Sequence, residues 1–118
     1  MMGRAKPRIL CVSRSVSQLE AIRSALPSRD FEVVDASTPE QAVAVCVSNN
    51  LAAVVLDSEF FTETGWSAAR TLKMVKPHLL VVLLARDHEQ SLPHGVDAVA
   101  ATHSAILHKL NALLNLRG

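Results

Sequence analysis

Leu51-Ala-Ala-Val-Val-Leu-Asp57 is an unbroken apolar run closed by a carboxylate. A run of this length without polar alternation suits a central parallel strand covered on both faces. A carboxylate at the carboxyl end of such a strand stands where open α/β sheets hold their ligands. As a nucleophile it would accept a phosphoryl group, chemistry that needs a metal ion and positive donors close by. Asp57 therefore directs attention to the ends of the other strands.

On the N-terminal side, Arg8-Ile-Leu-Cys-Val12 reads as a first strand. Ser17-Gln-Leu-Glu20 fits a capping box, and Leu19, Ile22, Ala25 and Leu26 mark one face of a helix ending at Pro27. Phe31-Glu-Val-Val34 is a second, shorter strand. Thr38-Pro-Glu-Gln41 opens a second helix with a cap and a proline in the first turn. Val43, Val45, Cys46 and Val47 make that helix apolar almost all round, which predicts deep burial, and Asn49-Asn50 ends it.

Beyond Asp57, a loop from Ser58 to Gly65 leads into a third helix from about Trp66 to Val75, stopped by Pro77. His78-Leu-Leu-Val-Val-Leu-Leu84 is a fourth strand. The stretch 86–95 is polar, contains Pro93 and has room for only a turn or so of helix. Val96 to Ala101 is a weak fifth strand, and Ser104 to Leu116 a last helix with Ile106, Leu107, Leu110, Leu113 and Leu114 inward. Strict β-α alternation predicts an α/β fold: a doubly wound parallel sheet with right-handed crossovers and helices on both faces. Residues 1–7 read as an N-terminal extension and residues 8–118 as one domain.

The 118 residues suit a single domain, and 49% hydrophobic against 19% charged residues describes a soluble globular chain. A formal net charge of +1 without a basic block gives no electrostatic case for nucleic-acid binding. No apolar run approaches the ~20 residues of a membrane span, and the strand-sized stretch after Pro7 is not a secretory signal. Cys11 falls in a strand pattern and Cys46 in a helix pattern, as expected for buried thiols in a reducing cytoplasm.

From Arg8 to about Leu116, the order of strands, loops and Asp57 resembles a response-regulator receiver domain of the CheY-like kind. The resemblance implies a five-stranded sheet in the flavodoxin-like order 2-1-3-4-5. It makes Asp57 the phosphoacceptor position and Gly65 the glycine that ends the following loop. It also marks departures. The acidic pair after the first strand reads Ser13-Arg14, and the hydroxyl position after the fourth strand is Ala85. The Lys-Pro position after the fifth strand reads Thr102-His103, and the aromatic switch position is Val99. The 86–95 region is shorter than the family's fourth helix and its loops, so that helix is expected to be shortened or absent, which unsettles the usual output face. The chain resembles a degenerate, or pseudo-receiver, member.

These substitutions change the chemistry the site can perform. Mg²⁺ takes octahedral oxygen ligands, commonly one or two carboxylates with phosphate and water. Ser13 offers a neutral hydroxyl and Arg14 a permanent cation. A guanidinium about 4 Å from a dication opposes binding by several kcal/mol even at an effective dielectric near 20. Magnesium binding is therefore expected to be weak or absent, with no other cofactor. Ala85 and Thr102 do not replace oriented donors that are typically worth about 3 kcal/mol each in a catalytic site. Arg14 has two readings, an ion pair with Asp57 or a solvent-facing side chain while Asp57 caps the loop.

Phe60, Phe61 and Trp66 near the Asp57 loop read as packing residues in preference to a partner anchor. His78, His88, His94, His103 and His108 lack zinc-like spacing and read as scattered surface histidines. No G-x-S-x-G elbow, G-x-G-x-x-G turn or Walker loop occurs. The expectation is a stand-alone cytoplasmic receiver-like module, not an enzyme, working through a protein partner (a kinase, a regulator or another receiver). Self-association through the first or last helix is a further route. The alternatives are slow or partner-assisted phosphoryl acceptance at Asp57, and a small-molecule sensor at the strand-end crevice.

Overall fold

A computed structural model describes residues 6–57, 63–85 and 95–117, with the backbone alone at 63–68 and 116–117. The elements run β1 (Arg8–Val12), α1 (Val16–Ala25), β2 (Glu32–Ala36), α2 (Pro39–Ser48), β3 (Ala53–Asp57), α3 (Glu63–Val75), β4 (Leu80–Leu84), β5 (Ala98–Ala100) and α4 (His103–Arg117). All neighbouring strands pair in parallel, in the order β2-β1-β3-β4-β5. The expected α/β architecture and strand order are therefore present. Among the described residues there are four helices; the 86–94 stretch, read as holding at most a turn of helix, lies outside them.

Side-chain alternation divides the interior in two, because successive strand residues face opposite sides of the sheet. Leu10, Val12, Val54, Leu56, Val81 and Leu83 pack under Ala42 and Cys46 of α2 and Ala69 and Leu72 of α3. Ile9, Cys11, Ala53, Val55, Val82 and Leu84 pack under Ile22 and Leu26 on the α1 side and Ile106 and Leu110 of α4. Every residue of β3 is buried, as its unbroken apolar composition requires. The two cysteines are free thiols in opposite layers, both fully buried. Burial pushes the Cys11 thiol up to about 12, with Asp35 adding to the rise and Arg23 opposing it.

Several boundaries differ from the sequence reading for identifiable reasons. Helix α1 is capped by Ser15, whose side chain accepts from the Gln18 N–H, not by Ser17. Strand β2 starts at Glu32 because the Phe31 N–H closes a turn onto Pro27 O, and it extends to Ala36, with Asp35 paired to Arg23. Helix α2 begins at the Thr38 cap as expected, yet only Ala42 and Cys46 are buried and Val47 is 62% exposed. Those two positions, four apart, centre the stripe that meets the core, with Val43 and Val45 partly buried beside them. Helix α3 begins at Glu63, so Gly65 lies within its first turn and does not end the preceding loop. A glycine costs a helix only about 1 kcal/mol, and an acidic first residue suits the helix dipole.

The entrance to β5 is held by Asp97. Its carboxylate accepts from the Val81 N–H at 2.8 Å and from Lys73 Nζ at 2.7 Å, while its own N–H donates to Val81 O. Gly95, two residues earlier, has φ +85°, a left-handed conformation that an L side chain rarely adopts.

Candidate functional site

The register of the sheet brings Ser13 and Asp57 together. Val12 pairs with Leu56, so the next residue on each strand, Ser13 and Asp57, stand side by side at the carboxyl edge. Alternation gives both the parity of Cys11 and Val55, the sheet face covered by α1 and α4. The Ser13 N–H continues the ladder to Ala36 O at 3.1 Å. Its hydroxyl donates to Asp57 Oδ2 at 2.8 Å, with Ser13 fully buried and Asp57 6% exposed.

A carboxylate this far from water requires hydrogen-bonded company, and bonds to an ionised acceptor are stronger than neutral ones. Ser13 meets that need with a neutral donor. The same Oγ accepts the Ser15 N–H at 3.1 Å, which fixes the hydroxyl's orientation and the path of the chain into α1. Ser15 in turn caps α1 through Gln18 N–H at 3.2 Å.

The remaining sequence-derived positions stand at or near the ends of β1, β4 and β5. Arg14 is exposed, immediately after Ser13. Ala85 follows β4, is 8% exposed and belongs to the layer beneath α2 and α3; its N–H donates to Ala100 O at 3.0 Å. Thr102 is exposed and caps α4, its Oγ1 accepting the Ala105 N–H at 3.2 Å and meeting Ser104 Oγ at 3.2 Å. Val99 is half-buried against the layer under α2 and α3. Phe60, Phe61, His88 and His94 lie outside the described residues, as does the side chain of Trp66.

One histidine departs from the scattered-surface expectation. His78 and His108 are exposed, but His103 is half-buried, and its Nε2 lies 2.6 Å from Gln18 Oε1. The contact joins the first turn of α1 to the first residue of α4. Sequence reading missed Gln18 and Ser15 because it placed the α1 cap two residues late. Ser15-x-x-Gln18 fits the same cap pattern and was the available signal.

No group of three or more histidine, cysteine or carboxylate side chains converges as a metal site among the described residues. No described helix is long and apolar enough to cross a membrane.

The sequence matches no family model and no curated protein. The fold does have close counterparts among solved structures. A CheY-like response regulator receiver domain protein from Methanospirillum hungatei JF-1 superposes with a TM-score of 0.80 at 18% identity, over 94% of this chain and 95% of that one. A response regulator from Thermotoga maritima gives 0.81 at 18% identity, over 94% and 99%. The chemotaxis response regulator CheY4 of Vibrio cholerae gives 0.76 at 16% identity, over 92% and 99%. The chain therefore has the CheY-like receiver fold.

Proposed function

We propose that this chain is an atypical receiver module of two-component signalling whose output is a protein contact made without phosphoryl transfer. The observation that carries this reading is the 2.8 Å bond from the buried Ser13 hydroxyl to Asp57. In a phosphorylating receiver, a divalent ion and positive donors would neutralise the acceptor and the incoming phosphoryl oxygens. Here a hydroxyl, already oriented by Ser15, occupies one acceptor oxygen.

The donor set suits magnesium poorly. A hydroxyl committed to Asp57 is a weak ligand, and Arg14 adds an adjacent cation where a dication would need anions. At the β4 and β5 ends, Ala85 supplies a methyl and Thr102 spends its hydroxyl on the α4 cap. On this reading the module has no cofactor, is not an enzyme and works in the cytoplasm. Its partner is a protein (a kinase, a regulator or another receiver); a second copy meeting through α1 or α4 is the homotypic alternative, and nucleic acid is not a partner. Slow or partner-assisted acceptance at Asp57 is the second reading, favoured by the carboxylate's place at the carboxyl end of β3.

Incubation with acetyl phosphate and magnesium, followed by intact-protein mass spectrometry, separates these two. No phosphoryl adduct is expected. A stoichiometric adduct that disappears in Asp57→Asn would refute the phosphate-independent reading.

A further inference from the structure

We infer that the Asp57 carboxylate sets the arrangement of the α1–α4 face, through a continuous chain of hydrogen bonds that ends at His103. The links are Asp57 Oδ2 to Ser13 Oγ at 2.8 Å, Ser13 Oγ to Ser15 N at 3.1 Å, Ser15 Oγ to Gln18 N at 3.2 Å, and Gln18 Oε1 to His103 Nε2 at 2.6 Å. Each joins a different step of the structure: the strand-end crevice, the β1–α1 loop, the first turn of α1 and the first residue of α4. The last link spans 85 residues of sequence.

The geometry favours this direction over the β4–β5 edge. Ser13 and Asp57 have the strand parity of the layer that α1 and α4 cover, whereas Ala85 and Val99 belong to the opposite layer. Gln18 stands three residues after the Ser15 cap, where a side chain ordinarily turns back to the cap's own N–H. That N–H is already taken by Ser13 Oγ, and the Gln18 side chain reaches across to His103 instead. A displaced Ser13 hydroxyl would release the Ser15 amide, shift the α1 cap and draw Gln18 away from α4. Helices α1 and α4 also share an apolar seam with Ile22, Ile106 and Leu110, which packs the two helices against each other. Gln18 and His103 are positioning residues in this scheme, not reacting groups.

The inference rests on the reading of Asp57 as a fixed internal anchor, and the test separates the two. Nitrogen-15 NMR of the full chain follows the His103 ring N–H and the Ala105, Ile106 and Leu107 amides. Ser13→Ala is expected to move these resonances and to speed exchange at the start of α4 roughly tenfold. Ser13→Thr, which retains a hydroxyl, restores both. In a Gln18→Leu background, Ser13→Ala no longer reaches α4. If Ser13→Ala does not fold, Asp57→Ala takes its place, removing the acceptor of the Ser13 hydroxyl. Changes confined to the immediate neighbours of Ser13 and Asp57 overturn the inference, as does an α4 response equal in size with and without Gln18. Beryllofluoride with magnesium, titrated into the unaltered protein, tests the phosphate-independent reading separately. A saturable response beside intact Ser13-to-α4 coupling overturns that reading alone and leaves the relay standing.

Discussion

Replacing Ser13 by alanine isolates the bond on which the site depends. The hydroxyl is fully buried, donates to a carboxylate only 6% exposed and accepts a backbone N–H. Hydrogen bonds to charged partners contribute about 1.5–3 kcal/mol net. The Ser15 amide, partly buried, also loses its acceptor. Together these put the cost of Ser13→Ala at about 2–3 kcal/mol. For a domain near this size each kcal/mol lowers the melting temperature by roughly 4 °C or more, so a fall of about 10 °C is expected. Urea unfolding followed by circular dichroism gives the same quantity as a midpoint displaced by about 1 M or more. A double-mutant cycle with Asp57→Ala should return a coupling energy of about 1–2 kcal/mol, because the two groups meet directly. Ser13→Ala within about 0.5 kcal/mol of the unaltered protein, or a cycle that closes additively, would refute the claim that this hydroxyl holds the carboxylate.

Other expectations follow from the same contacts. Ser13→Asp combined with Arg14→Asp sets like charges beside Asp57; thermal unfolding should show a destabilised domain that recovers about 2.7 kcal/mol with magnesium at a hundredfold excess over its Kd, with no such gain in the unaltered chain. Asp97→Ala removes the acceptor of the Val81 N–H and of Lys73, and chemical denaturation should report a loss of about 2 kcal/mol, with Asp97→Asn milder because it keeps an acceptor. Gly95→Ala should cost about 1 kcal/mol through its φ of +85° alone, since an added Cβ would meet Ala69 at an ordinary 3.6 Å. Cys11 has a folded pKa of about 12 against 9.0 for a model thiol, so the unfolded chain releases its proton first. Stability should be unaffected by this group below about pH 9 and decline from there toward pH 12, by up to about 1.4 kcal/mol per pH unit, a slope absent in Cys11→Ala.

The parallel sheet was legible because its evidence is local and repeated. Unbroken apolar runs such as 53–56 and 80–84 announce strands covered on both faces, and caps such as Thr38 announce helices between them. Asp57 was legible for a related reason: a lone carboxylate closing an apolar strand has few other places to be. The α1 start was harder to assign, since Ser15 and Ser17 both head cap-like patterns. Ser15 carries the cap because its N–H is held by the buried Ser13 hydroxyl, a contact with no trace in the pattern of α1 itself. The exposure of Val47 was hidden for the opposite reason. Composition shows how apolar a helix is, but only its neighbours decide which stripe meets the sheet.

The amino-acid order by itself determined the sequence of strands and helices, the two-layer apolar interior and the place of Asp57 at a strand end, because periodicity and capping act over a few residues. Tertiary structure alone decided that Ser13 bonds to Asp57 across 44 residues and that Gln18 reaches His103 across 85. Such contacts depend on strand register and helix docking, which arise from the packing of the whole sheet.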